Sequence, residues 1–385
     1  MSWKQSETGI LSLCAALALL ACDSIAPPRN PGPLEPLWTH EDGAGSQSQP
    51  YADDQLAVFI TAEDHRVVAL DARSGEVEWE RTLPNALPGY PQPFANVAAY
   101  DDLIIVPNWN LYALDRESGR IRWQFASEEA YPSSGPLAAQ NGRIYTPGSY
   151  RNLYAVDART GKQLWRTDLG ERPFAPVVDD GVVYFGARGR IDPSKNALGE
   201  GHVFALDADD GRILWKVPIP DAPTKEGTGG VVEAGALTPE LFIIGSLNGT
   251  VYGIDRESGE VRWTHRAYET YTSTAPYESG VAVIDGVAVV ANLAGMIEGL
   301  DAETGELLWR NTTGGSSVTA RIVTDGTCAY LTLAGILCID STGKLRWDIG
   351  GFSNGGPSYT TPPAIAAGRL FAGSFDGFHA LQLPH

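Results

Sequence analysis

The side chains best suited to chemistry in this sequence are few: four cysteines and six histidines in 385 residues. The histidines, at positions 40, 65, 202, 265, 379 and 385, show none of the short spacings by which imidazoles share a metal ion. Asp207-Ala208-Asp209-Asp210-Gly211 begins like a calcium loop, but no glutamate follows at the twelfth position. Gly227-Thr228-Gly229-Gly230 lacks the Lys-Ser/Thr pair that would hold a nucleotide phosphate. No two cysteines are adjacent. These residues point to tethering and binding rather than catalysis, so neither a cofactor nor a metal is expected.

The N-terminus reads as an address. Lys4 precedes an apolar run over 10–21, too short to cross a bilayer core of ~30 Å as a helix and suited to a secretory signal. The run ends in Leu19-Leu20-Ala21-Cys22, which resembles a bacterial lipobox. By that resemblance residues 1–21 are removed and the Cys22 thiol carries a diacylglycerol anchor. Asp23 resembles the residue that retains lipoproteins in the inner membrane of enteric bacteria, so either envelope membrane is open as the place of residence. Residues 22–35, with prolines at 27, 28, 31 and 33, form neither helix nor ladder strand and read as a semi-extended tether. The balance of 28 Lys plus Arg against 47 Asp plus Glu gives a charge of −19, which repels phosphate backbones and excludes nucleic acid as the expected partner.

The body, residues 36–385, is a repeat. Segments 70–79, 114–123, 156–165, 206–215, 254–263 and 300–309 align without gaps, and 339–347 is one residue shorter. Each reads aliphatic, Asp, a polar pair, Ser/Thr or Asp, Gly, three residues, Trp. Asp opens a tight turn because its carboxylate can accept backbone N–H groups, and Gly closes it at a positive φ that a side chain resists. A small residue precedes each aliphatic one (Ala69, Ala113, Ala155, Ala205, Gly253, Gly299 and Cys338), which suggests close approach between neighbouring sheets. A strand ends at each Asp, another carries each Trp, and two short apolar strands come before them, such as 103–106 or 181–186. Four antiparallel strands per repeat make one propeller blade.

The phased tryptophans are Trp38, Trp79, Trp123, Trp165, Trp215, Trp263, Trp309 and Trp347. After Trp347 the chain still offers strands at 362–366, 369–373 and 378–383, but no outer strand. At the other end, 36–40 is a lone outer strand with Trp38. The fragments complement each other, so the N-terminal strand is expected to close an all-β, eight-bladed propeller and leave no open edge.

This pattern is similar to the quinoprotein-type (PQQ-like) repeat over residues 36–383. Two groups share that repeat: quinone- and calcium-dependent alcohol dehydrogenases, and the non-catalytic BamB-type lipoproteins of outer-membrane assembly. In both, the resemblance implies, the repeat tryptophans are structural and pack between blades. The dehydrogenases also carry a disulfide between adjacent cysteines and long interblade insertions, which this chain lacks. The resemblance therefore implies a non-enzymatic, monomeric, lipid-anchored scaffold on the periplasmic side of the envelope, with protein partners that include outer-membrane assembly machinery. A ligand-binding or sensor propeller of the same compartment is the alternative.

Cys328 and Cys338 flank the turn at 333–335 on consecutive strands of the seventh blade, diagonal neighbours on one face. A disulfide fits them in an oxidising compartment, and so do two small buried thiols. Binding is expected on the face that gathers the connections 84–94, 128–136, 218–230, 268–277 and 350–362, which carry Tyr268, Tyr271, Tyr277 and Tyr359. Each ring either faces a partner or caps its own blade. The largest insertion, 187–201 in blade 4, sets Arg188, Arg190 and Lys195 on an acidic protein. It is either a contact for a partner's carboxylates or a solvated loop.

Overall fold

Local turn chemistry builds the repeating unit. The computed structural model describes residues 35–383 apart from 42–45, 47, 63, 65, 85–95, 128–135, 190, 193–196, 199, 221–229, 232, 267–275, 314–320, 334, 351–357 and 360. In the first repeat the Asp71 carboxylate accepts the backbone N–H of Ser74 at 2.7 Å and of Arg73 at 3.0 Å. Gly75, at a φ of 74°, closes the turn by donating its N–H to the Asp71 carbonyl at 2.9 Å. The same hairpin recurs at Asp115, Asp157, Asp255 and Asp301, with a Ser or Thr three residues on as the carboxylate's donor.

Eight four-stranded antiparallel sheets result, alongside a small two-stranded one. Blade 1 runs from the inner strand Tyr51–Ala52 through Leu56–Ile60 and Arg66–Asp71 to the outer Val77–Thr82. Blades 2 to 7 follow over 98–125, 138–168, 172–219, 236–266, 282–312 and 323–350. The second strands read as unbroken apolar runs, for example Leu-Ala-Val-Phe-Ile over Leu56–Ile60, because neighbouring blades cover both faces. Outer strands alternate: in Val77–Thr82 only Trp79 is buried. The inner strands surround an axial channel of ≈ 460 Å³.

Blade 8 takes Ala364–Ala366, Arg369–Gly373 and Phe378–Gln382 from the C-terminus and its outer strand, Pro36–His40, from the N-terminus. Trp38 pairs with Ala380 in the closing ladder. The eight blades and the N-terminal closure are as the sequence predicts.

The small-residue column has a different reason from the expected one. Ala69, Ala113, Ala155, Ala205, Gly253, Gly299 and Cys338 each pair directly with the tryptophan of their own blade. A Cβ on Gly253 would stand 2.1 Å from the Trp263 ring. The column makes room for the indole across one sheet rather than for a neighbouring sheet.

The indole then reaches over to the next blade. Trp79 donates to the Arg116 carbonyl at 2.9 Å, Trp123 to Ala158 at 3.0 Å, Trp215 to Arg256 at 2.9 Å and Trp309 to Ser341 at 2.8 Å. Each ring also covers the turn glycine of that blade. A Cβ on Gly119, which sits at φ 63°, would lie 2.4 Å from Trp79 Cε3.

Candidate binding face

In an antiparallel blade, the hairpin between the two middle strands and the connection to the next blade emerge at the same end. That end carries the unrepeated residues. Arg190, Lys195, Tyr268 and Tyr271, and Cys22 at the N-terminus, lie outside the described residues.

Two of the predicted binding-face rings are not on the surface. Tyr277 is 1% exposed and Tyr359 is 3% exposed. Tyr277 donates its hydroxyl to Glu298 at 2.5 Å, and Arg310 holds the other carboxylate oxygen at 2.6 Å. His265 of blade 5 approaches the same carboxylate at 3.4 Å. Burial raises the Glu298 carboxyl, but its bonds to His265, Tyr277 and Arg310 hold it below the usual range. Tyr359 lies in the core shared by blades 7 and 8 and meets the His379 ring edge-on at 5.7 Å. Each ring caps a blade because a polar or aromatic partner from another strand draws it inward.

Arg188 behaves differently. It ends the second strand of blade 4, Val182–Arg188, and pairs directly with Arg172 on the inner strand, Arg172–Asp179. Like charges directly opposite each other repel. The carboxylate next to Arg172 in the chain is already engaged: Glu171 accepts Lys216 at 2.9 Å and lies 2.8 Å from His202 Nδ1. Arg188 Nε is buried without a hydrogen-bond partner. Arg172 lies 5.0 Å from the Phe174 ring centroid, and burial together with the Arg188 charge lowers its proton affinity. Gly230, at φ 112°, lets the connection into blade 5 press against Arg188: a Cβ there would stand 2.9 Å from Arg188 Cα. The pair is therefore fixed in place without a counter-ion among the described residues.

Sequence reasoning missed Arg172, and it missed the rings of the middle-strand hairpins. Phe375 is 73% exposed and Tyr150 is 48% exposed, while Trp109 holds a φ of 58°, uncommon for a bulky residue. Their one signal was an aromatic residue between turn-forming neighbours, as in Asn108-Trp109-Asn110.

One constellation looks catalytic and is not. Ser374 Oγ lies 2.6 Å from His379 Nε2, but Asp376 approaches that same nitrogen at 3.6 Å. A nucleophilic serine needs its carboxylate on the opposite ring nitrogen, which here meets Thr39 Oγ1 at 3.1 Å. Ser374 is wholly buried, so the cluster ties the closing strand to blade 8. The disulfide Cys328–Cys338, with Cα atoms 5.5 Å apart, is also interior, in the core shared by blades 7 and 8. Among the described residues no group of three His, Cys, Asp or Glu side chains could hold a metal ion.

Known proteins resemble this chain in two ways. The quinoprotein alcohol dehydrogenase PedH of Pseudomonas putida is 26% identical over 182 residues, which cover 43% of this chain and 28% of that protein. The outer membrane protein assembly factor BamB of Yersinia pestis is 28% identical over 172 residues, covering 42% of this chain and 40% of its own. The chain thus spans less than half of the curated relatives it matches. The crystal structure of BamB from Moraxella catarrhalis superposes with a TM-score of 0.68 at 16% identity, over 90% of this chain and 99% of that one. A family model described as outer membrane protein assembly factor BamB matches residues 107–275 and 199–383, most of the propeller. By that match, the chain belongs to the BamB family of PQQ-like repeat propellers.

Proposed function

We propose that this chain is a lipid-anchored, non-catalytic scaffold on the periplasmic side of the envelope, whose loop-bearing face holds a protein partner in outer-membrane protein assembly. The observation that carries this reading is the Arg172–Arg188 pair. On a chain with a charge of −19, two arginines face each other across a ladder and no described carboxylate serves them. An acidic segment of a partner would relieve their repulsion with charge-assisted bonds, and a guanidinium pair suits planar carboxylates. The family supports a role in assembly, and the propeller supplies a rigid frame. Cys22 is the proposed lipid site and the body is proposed to act as a monomer.

The dehydrogenase relatives raise a second reading, which the residues do not fit. In those enzymes two adjacent cysteines bond against the quinone, whereas Cys328 and Cys338 are ten positions apart and lie in a blade core. Among the described residues no three His, Cys, Asp or Glu side chains gather where they could hold a metal ion. No catalytic step is assigned.

Affinity capture from detergent-solubilised envelope membranes tests the scaffold. The lipidated full chain should recover outer-membrane assembly proteins, and Arg172→Glu with Arg188→Glu should lose them at unchanged thermal stability. Equal recovery by the double variant would overturn the reading, as would a purified chain that oxidises alcohols with a bound quinone.

A further inference from the structure

The inner strands of blades 1, 5, 6, 7 and 8 contribute to the wall of the axial channel. Tyr51–Ala52, Ala236–Leu237, Ala282–Ile284, Val323–Thr324 and Ala364–Ala366 each stand at the end of their sheet and pair on one side only. Such an edge leaves a row of N–H and C=O groups without ladder partners. These edges face the axis, so donors and acceptors alternate along the wall. The aliphatic side chains of Val97, Val281, Ala282 and Ile322 are buried. The surface the channel exposes is therefore mainly polar.

Arg321 is the one charged side chain among the described lining residues. It leads into the inner strand of blade 7 and is half-buried. Gly280 makes room for its stem: a Cβ there would lie 3.3 Å from Arg321 Cγ. The guanidinium has no hydrogen-bond or ion-pair partner among the described residues. Glu233 does not line the channel, and it acts on Arg321 electrostatically. Its buried carboxyl accepts the Ala234 N–H at 3.4 Å.

One cation on the wall calls for one anionic group, and a second charge would find no counter-charge among the described lining residues. Hydroxyls both donate and accept, so they suit a wall on which donors and acceptors alternate. The volume of ≈ 460 Å³ falls within the range of small-molecule sites, roughly 300–1,000 Å³. We propose that the axial channel binds a small hydroxylated monocarboxylate of the sugar-acid class, its carboxylate on Arg321 and its hydroxyls on the inner-strand edges. The site is separate from the Arg172–Arg188 contact in blade 4, and either can fail without the other. Glu233 makes the binding sensitive to pH. Burial pushes its carboxyl up to about 7; Arg321 opposes that rise and Glu278 of blade 6 adds to it. Protonation removes a negative charge that competes for Arg321, so affinity rises as pH falls through neutrality.

Isothermal titration of the full chain with gluconate at pH 6 and pH 8 tests this. Sorbitol serves as the same hydroxylated chain without the charge, and hexanoate as the carboxylate without the hydroxyls. Gluconate should bind more tightly at pH 6, and both controls far more weakly. Arg321→Gln should weaken gluconate about ten- to a hundredfold, the loss expected for a bond to a charged group. Arg321→Lys should keep part of the affinity, and Glu233→Gln should make it independent of pH. The proposal is overturned if gluconate does not bind at pH 6, if sorbitol or hexanoate binds as well as gluconate, or if Arg321→Gln binds like the parent. Should Arg321→Gln not fold, the Glu233→Gln profile decides: a pH dependence like the parent's overturns the proposal.

Discussion

At the joint between blades 1 and 2, the Trp79 indole covers Gly119 and donates to the Arg116 carbonyl at 2.9 Å. At the joint between blades 7 and 8, Trp347 occupies the same place on its own blade, opposite Cys338, but meets neither feature. Blade 8 draws its third and fourth strands from opposite ends of the chain, so the Asp-to-Gly turn that would supply them does not exist there. Trp347 packs instead with Leu370, Ala372 and Leu381, beside the Cys328–Cys338 disulfide. Closing a ring with a non-covalent strand thus removes one joint's lock, and the disulfide stiffens the blade that lost it.

The largest effect should come from removing the closing strand. A chain beginning at residue 41 loses the whole ladder to Phe378–Gln382, the Trp38 joint to blade 1 and the Thr39–His379 contact. It also bares a sheet edge that can pair with another chain. Calorimetry should show the main transition lowered by more than any single side-chain loss, and size exclusion should show self-association. A truncated chain that stays monomeric with the parent's transition would mean the ring does not depend on its closing strand.

Next come the tryptophans themselves. Trp79→Ala should cost about 3–5 kcal/mol, as for other large buried rings. Trp347→Ala should cost about 1 kcal/mol less, because no indole hydrogen bond is lost with it. Urea midpoints with matched slopes check the difference. Equal costs would show that burial alone, and not the reach to the next blade, sets each joint's strength.

The disulfide sharpens the contrast. Replacing both Cys328 and Cys338 by serine releases a ten-residue crosslink, worth about 2–3 kcal/mol on the chain-entropy scale. Because the bond and Trp347 share one core, this change should couple with Trp347→Ala and add simply to Trp79→Ala. A double-mutant cycle in urea measures both. Coupling to Trp79 of the same size would remove the disulfide's special place at the unlocked joint.

The blades were legible in the sequence because their chemistry is local. Asp71, Gly75 and Trp79 lie within nine residues of one another, and the Asp-to-Gly turn recurs with them from blade to blade. The orphaned 36–40 strand even fixed the closure. The binding residues were not legible, since each depends on a partner brought in by another strand. Arg188 was visible as a basic residue in an insertion, but Arg172 opposes it only after a register shift between Phe174 and Val177. Tyr277 read equally as a binding-face ring or a cap on its blade until Glu298, from a later strand, accounted for its hydroxyl. Arg321 and Glu233 belong to no repeat, and only the ring brings them within electrostatic reach of each other.

The smallest effect should be on acid stability. The Asp255 carboxyl is held down to about 2 by the backbone N–H and hydroxyl of Ser258, both at 2.8 Å, and by Arg262. Asp71, Asp115, Asp157, Asp301 and Asp340 are also lowered, chiefly by donors in their own turns. A carboxyl with a folded pKa below its unfolded value of about 3.9 adds stability at higher pH, and that stability drains away as pH falls through the folded value. The turn-locked joints should therefore loosen between about pH 4 and pH 2; blade 8 has Gln382 in the aspartate column, but its Asp376 carboxyl is also lowered, by Ser374, and burial lowers the His379 imidazole, so its ladder too loses stability as pH falls. Asp255 is buried and the other turn carboxylates are half-buried at the hydrated end of each blade, so each contribution is modest and partly screened by salt. Asp255→Asn should lower the thermal midpoint slightly at pH 6 and converge with the parent near pH 2. Hydrogen exchange at pH 6 and pH 3 should show the turns of blades 1, 2, 3, 5, 6 and 7 losing protection as pH falls, together with the Phe378–Gln382 ladder. If the ladder alone loses protection, the closing strand rather than the aspartate turns is the acid-labile part of the ring.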